Sequence, residues 1–293
     1  MTRTDGIGRD AVAAFEQARH EFRRSRRSQT TLFIVLFAAS LAASAYVGEV
    51  RIDKFVEGVP GLFSYIAGTL PDIHRGRVLA DVGDWYWGIG RWLGYLLDTL
   101  VMAFVGTLLG AVGALMLCFP ASRNLVRGRS IYFLCRRAME FARSIPDLVL
   151  AMIFVFAFGL GPLPGVLALA VHTAGALGKL FAEVNENVDL KPLDGVRAAG
   201  GNWLQVIRFA VIPQVLPNFL SYALLRFEIN VRAASVIGFV GAGGIGQELL
   251  YVVRQFIYAD VSAIVLLLIA AVAIIDIGCE MLRHRVIGRE HLL

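Results

Sequence analysis

The chain has 293 residues, of which 57% are hydrophobic and only 17% charged, and it carries a net charge of +5. It is far more apolar than a water-soluble domain of this length, which excludes a soluble enzyme. The basic excess calls for no nucleic acid, because cations flanking membrane spans beside anionic lipid account for it.

In chain order, residues 1–31 read as a cytoplasmic N-terminal tail. Ala11, Ala14, Phe15, Ala18 and Phe22 recur at helical spacing among charges, which suits either an amphipathic helix on the membrane surface or a solvated tail. Residues 32–47 form a first transmembrane anchor. The preceding tail is too long and too acidic (Asp5, Asp10, Glu16, Glu21) for a cleaved signal peptide, so the anchor is expected to stay.

Residues 48–92 form an extracytoplasmic segment, broken at Pro60-Gly61, Pro71-Asp72 and Gly83-Asp84. It ends in Trp85, Tyr86, Trp87 and Trp92, the composition of an aromatic belt at a membrane interface. Five more apolar runs follow: Leu93–Phe119, Tyr132–Phe158, Leu163–Val184, Val215–Val240 and Val261–Leu282. Their lengths suit helices of the ~20 residues that span a bilayer, not barrel strands of about ten. The fold class is therefore an all-α membrane protein of six transmembrane helices, a core of five (93–285) plus one N-terminal helix. A cytoplasmic loop lies at 185–213 and a cytoplasmic C-terminal tail at 286–293. Small residues such as Gly106, Gly110, Gly175 and Gly178 let the core helices approach closely.

Orientation follows the cations. Arg23, Arg24, Arg26 and Arg27 precede the first span, Arg123, Arg127 and Arg129 follow the second, and Lys191, Arg197 and Arg208 lie in the loop before the fifth. Both termini are thereby placed in the cytoplasm. Cys118, Cys135 and Cys279 have no metal-binding spacing and sit on the reducing side, as packing residues.

The most organised polar stretch is Asp194–Pro217. Pro192 suits a first helical position, Gly200-Gly201 can end that helix with positive φ, and Asn202 can cap a second helix, Trp203–Val211, closed by Pro213 and Pro217. The result is a helix–turn–helix with a bare glycine knuckle, a shape that fits a partner's groove. Gly241-Ala242-Gly243-Gly244-Ile245-Gly246 matches a dinucleotide fingerprint in letters only, since it follows a long apolar span where a strand is needed. It is expected to be a flexible loop with exposed N–H groups at the outer mouth of a path, able to meet a docking protein. Gly178-Lys179 lacks the first glycine of a P-loop. No H-E-x-x-H, carboxylate dyad or Ser–His–Asp set appears, so the chain itself is expected to bind no cofactor and catalyse nothing.

Ionisable groups inside spans are costly and face a cavity or a partner. Arg226 is spaced to meet Asn230, and Glu228 to meet Arg232, each at i,i+4. His172 and Lys179 are seven apart on one face, with Glu183 a turn beyond Lys179. These groups read either as ion pairs that lock helices together or as an attractive passage for an anion, and the two can coexist. Arg143 lies just before Pro146, which should kink its helix; it is a gate element or a side chain reaching for the interface.

On these residues the chain resembles the type I ABC importer permeases. Asp194, Gly195 and Val196 occupy the Glu-Ala-Ala places of their cytoplasmic loop motif, followed by Arg197, Ala198 and Ala199, Gly200 stands at its glycine, and Ile212-Pro213 and Leu216-Pro217 match its end. Asp for Glu, and Gly and Val for the alanines, are departures. Arg143-Ser144-Ile145-Pro146-Asp147, the run His172–Glu183, and Leu225–Ser235 leading into Val240–Gly246 resemble the phosphonate branch. The resemblance covers about residues 93–285 and implies a multi-pass permease of the bacterial inner membrane. It implies two ABC ATPase subunits that bind ATP and Mg and grip Asp194–Asn202 (Gly201 included). It also implies a second permease, either another copy or a similar chain, and an extracytoplasmic phosphonate-binding protein that meets Gly241, Gly243, Gly244 and Gly246. The cargo expected is phosphonate; phosphite, methionine or another small solute is the alternative, and a proton-coupled secondary transporter using Lys179, Glu183 and Glu228 is the rival mechanism.

Overall fold

The computed structural model describes residues 4–71, 74, 76–126 and 128–287. Among them it contains helices and turns and no strand. The chain divides into two compact units, one up to Tyr65 and one from Ile66 onward.

In the first unit α1 runs unbroken over Thr4–Val47, and its stretch Ser25–Val47 is long and apolar enough to cross a membrane. Polar tail and anchor thus share one helix. The side chains of Ala11, Ala14, Phe15 and Ala18, on which the amphipathic expectation rests, lie outside the described residues. α2 follows over Ile52–Thr69 and crosses the unit boundary. Pro60-Gly61 does not break it. Arg51 donates to Asp53 at 2.6 Å and holds that exposed carboxyl below its usual range.

In the second unit α3 (Val78–Trp85) leads into α4 (Ile89–Cys118). The aromatic residues at this junction also pack against the rest of the unit. Trp92 is fully buried, Trp85 donates through Nε1 to the Ala259 carbonyl at 3.0 Å, and Trp87 donates to Asp260 at 3.1 Å. Two of the three indoles, Trp85 and Trp87, find acceptors at the polar start of α12.

The expected span Tyr132–Phe158 is instead two helices, α5 (Arg129–Ser144) and α6 (Asp147–Phe158), bent by 88°. Ile145 is extended (φ −86°, ψ 124°), as a residue before proline prefers, and Pro146 cannot donate into a continuing helix. The polar half, with Arg136, Arg137, Glu140 and Arg143, would also be costly in hydrocarbon.

α7 (Pro162–Glu186) is the central helix, packed on α4 and α5. A Cβ at Gly110 of α4 would stand 2.5 Å from the Thr173 Cβ of α7, so glycine is what allows this approach. After α8 (Leu190–Ala198) and α9 (Trp203–Val206), a π-helical turn, Ile207–Val211, runs directly into α10 (Ile212–Ile237). A 3₁₀ turn, α11 (Gly244–Arg254) and α12 (Tyr258–Ile287) complete the described residues. Four helices are long and apolar enough to span a membrane, or six if each of two bent pairs counts as one span.

Candidate functional site

Two places bring the predicted polar residues together. The first is the knuckle between α8 and α9. Asp189, not Pro192, begins the first helix: its carboxylate accepts from the Lys191 N–H at 3.1 Å, and Pro192 falls inside the first turn. The end is a Schellman motif. Gly200 has φ +83°, its N–H donates to Arg197 O, and the Gly201 N–H donates to Val196 O at 2.9 Å. Asn202 then caps α9 reciprocally with Gln205, at 2.9 and 2.7 Å.

The motif is moored at few points. Leu193 is buried, Gln214 clamps Asp189 through both backbone groups, and Trp203 donates to Leu125 O at 3.0 Å. Asp194, Gly195, Arg197, Ala198, Ala199 and Gly200 all face outward. Pro213 and Pro217 do not close the second helix as expected. Ile212 N–H reaches back five residues to Ile207 O, and this wider turn absorbs the register change before the prolines. Knuckle and span are one rod.

The second place is the interior of α4, α7 and α10. Asn230 is fully buried and donates to Thr107 at 2.8 Å and to Thr173 at 2.9 Å. Arg226 donates to the same Thr173 hydroxyl at 3.3 Å and to the ring nitrogen of His172. Arg226 and Asn230 therefore meet through a shared threonine, not directly. His172 in turn lies 3.8 Å from Asp147, placed by the bend at Pro146. Thr107 and Thr173 were not legible as site residues, since a threonine in an apolar run carries no signal of its own. Asp147 was visible only as part of a motif.

The expected Glu228–Arg232 pair does not form. Glu228, nearly buried, pairs with Arg283 of α12 at 2.8 Å, and Arg232 faces Asp276 of α12 at 4.0 Å. Cross-helix partners win because they neutralise charge between two packed helices, whereas an i,i+4 pair would leave both groups on one surface. Lys179 and Glu183 do pair at 3.5 Å, half exposed and apart from His172. Arg143 is exposed at the end of α5.

Residues 106–288 match the family model described as binding-protein-dependent transport system inner membrane component. The chain belongs to this family. A phosphite transport system permease protein of Stutzerimonas stutzeri is 38% identical over 249 residues, covering 85% of this chain and 86% of that one. A relative in Escherichia coli K12, assigned by name to a cryptic phosphonate transport system, is 44% identical over 122 residues, 42% of this chain and all of the relative. A chain of the MetNI methionine ABC transporter in an inward-facing conformation superposes with a TM-score of 0.58 at 20% identity, covering 67% of this chain and 95% of that chain. The fold is that of type I ABC importer permeases.

In this permease the glycine-rich segment Gly241–Gly246 is not the flexible loop expected. Ala242, Gly244, Ile245 and Gly246 are buried, the Ile245 N–H donates to Thr99 at 2.9 Å, and the Gly241 carbonyl accepts from Gly161 at 3.0 Å. Gly241, Gly243 and Gly244 take positive φ to turn the chain. A Cβ on Gly246 would stand 1.9 Å from Ser235 O. Positive φ explains Gly241, Gly243 and Gly244, and close packing between α10 and α11 explains Gly246.

Proposed function

We propose that this permease, with a second permease chain, two ATPases and an extracytoplasmic binding protein, imports a phosphorus oxyanion by alternating access. The ATPases hold ATP and Mg and grip Asp194–Asn202. Both termini lie in the cytoplasm, and the outer end near Gly241–Gly246 meets the binding protein. Phosphonate is the cargo first proposed, and phosphite, named for the Stutzerimonas relative, is the second.

The observation that carries the reading is Arg226. It lies within a span, half-buried, and uses two of its five N–H groups on neutral acceptors, Thr173 and His172. Among the described residues no carboxylate pairs with it within 4.0 Å, and Asp147 acts on its charge from beside His172. A guanidinium with spare donors beside a histidine and a buried amide suits a tetrahedral oxyanion passing by. Glu228 no longer cancels an α10 arginine, because Arg283 occupies it. Arg143, exposed at the end of α5, and Arg232, turned toward Asp276 of α12, are the further cationic candidates for the path.

The test is uptake of labelled methylphosphonate and phosphite by the reconstituted complex with loaded binding protein, methionine serving as a control. Arg226→Gln should reduce uptake at least about tenfold, the loss of one charged hydrogen bond, while ATP hydrolysis persists. Unchanged uptake would remove Arg226 from the path. Stimulation by methionine alone would replace the cargo and leave the importer standing.

A further inference from the structure

α5 has three faces, not two. Met139 is buried against α7, and Cys135 and Ala142 flank it half-buried. Ile131, Leu134 and Phe141 form a second, exposed apolar stripe at i, i+3 and i+10. Arg129, Arg136, Arg137 and Glu140 form a third, polar face, which adjoins the stripe where Arg137 lies at i,i+3 from Leu134 and i,i+4 from Phe141 on a 3.6-residue wheel. α5 runs along the C-terminal half of α7, with Arg136 on Glu186 and Met139 against Gly178 and Gly175, so the arginines of its first half sit at the end of that apolar helix. Buried, apolar and cationic faces in that order suit a helix seated at the headgroup level.

The polar face opens into a groove of about 1180 Å³, lined by Arg123, Arg129, Tyr132, Phe133, Arg136 and Arg137 among others. Its guanidiniums are held in place. Arg123 and Arg136 lie over the Tyr132 ring at 5.4 and 5.3 Å, and Arg137 lies over Phe133 at 5.3 Å. Four arginines face two carboxylates, Glu140 and Glu186. Arg136 is spent on Glu186, and the Arg123 guanidinium on the Tyr132 hydroxyl, which with Glu186 raises Arg123 above its usual value. Arg137, exposed, is paired with Glu140 one turn away at 2.6 Å, and Arg129 has no acidic partner among the described residues. The four arginines of the groove exceed its two carboxylates by two charges, next to an apolar stripe.

We propose that this groove binds an anionic phospholipid, with the phosphate diester against Arg129 and Arg137 and the acyl chains along Ile131, Leu134 and Phe141. Charge complementarity selects the headgroup and the adjoining apolar stripe selects a lipid over a free anion. A zwitterionic headgroup brings its own ammonium and is disfavoured. The groove lies on the same side of the bundle as the α8–α9 knuckle, since Arg197 donates to Asn124 O and Trp203 to Leu125 O in the connection that borders it. Lipid there would abut the ATPase-facing end. The inference stands without any cargo.

The experiment purifies the full chain, with whatever co-purifies, in mild detergent and quantifies retained lipid by mass spectrometry. Wild type should retain phosphatidylglycerol or cardiolipin above its share of the membrane. R129Q/R137Q should retain at least about tenfold less, with phosphatidylethanolamine unchanged; two interfacial charges are worth roughly thirtyfold. Inorganic phosphate at 20 mM should not displace the lipid, and displacement would make the site one for a free anion. Equal retention by the variant overturns the proposal. So does loss of a co-purifying ATPase with lipid unchanged, which would make the arginines a protein contact. A second measurement uses unmodified protein in vesicles of phosphatidylcholine containing photoactivatable phosphatidylglycerol: crosslinks should fall within 129–144, and their absence there sinks the idea even if the variant does not fold.

Discussion

The Glu228–Arg283 pair lets charge burial be tested by asymmetry. The carboxylate is 8% exposed and the guanidinium 30%, and they meet at 2.8 Å between α10 and α12. Breaking a buried pair costs about 3–5 kcal/mol when the remaining charge cannot escape. Arg283→Met strands Glu228, whose nearest cation on α10, Arg232, is turned toward Asp276; we expect a loss of about 3 kcal/mol. Glu228→Gln strands Arg283, but that side chain is partly exposed near the end of α12 and its long stem can carry the charge to the interface. The expected loss is about 1 kcal/mol. Removing both charges should cost about as little, leaving a coupling of about 3 kcal/mol. Thermal unfolding of the purified protein in mild detergent, followed by tryptophan fluorescence, reads the series. At roughly 2–4 °C per kcal/mol, Arg283→Met should fall by about 6–12 °C and the other two by about 2–4 °C. The reasoning fails if Glu228→Gln is as harmful as Arg283→Met, or if the double variant shows the sum of the two losses.

Gly200→Val and Gly201→Val should separate ATP hydrolysis from uptake while membrane insertion is kept. The first forces a β-branched residue to φ +83° at a cost of about 1–3 kcal/mol, and the second drives a Cβ to 2.6 Å from the Val196 Cγ1; normal coupled uptake by both would count against the knuckle's role. Gly195→Ala meets nothing within 4 Å on α8 and should strengthen that helix by about 0.5–1 kcal/mol, seen as slower hydrogen exchange over 190–198. Gly246→Ala places a Cβ 1.9 Å from Ser235 O and should abolish accumulation in the membrane, whereas Gly94→Ala, with open space around it, should be tolerated. Equal expression of these two variants would refute the close packing of α10 on α11.

What the sequence made legible follows from the range of the interactions concerned. Apolar length is a local property, so the spans at Leu93–Phe119, Leu163–Val184 and Val261–Leu282 fall within a few residues of α4, α7 and α12. Capping is local too, and Asn202 and Gly200 could be read from their neighbours. The bend at Pro146 was visible as a kink, but not as an 88° turn, because its size depends on how α5 and α6 each pack on α7. Charge pairing failed for the same reason. The i,i+4 rule names the partners a lone helix offers, and Glu228 had a better one 55 residues away. Gly241–Gly246 was misread because a glycine needed for turning and a glycine needed for close packing look alike in sequence. Only the surroundings, Thr99, Leu160 and Ser235, tell them apart.

The strengths of these contacts imply where the bundle yields. From Trp203 to Val240 the helical turns are continuous, so a displacement at the knuckle reaches Arg226 along one rod of about 35 Å, at 1.5 Å per residue. α10 is tied to α12 by charged pairs, one of them short and nearly buried. It is tied to α4 and α7 across the polar cluster by hydroxyl bonds to Thr107 and Thr173 and by a contact with a neutral histidine acceptor. Neutral hydroxyl bonds are worth about 1 kcal/mol net and can be exchanged for bonds to water or to a passing anion, whereas separating a buried ion pair costs several times more. α10 and α12 should therefore move as a pair, and the surface that slips is the one shared with α4 and α7. That surface holds Arg226, His172 and Asn230. An oxyanion entering there would replace the very bonds that the motion must break, which couples passage of the cargo to the change of shape.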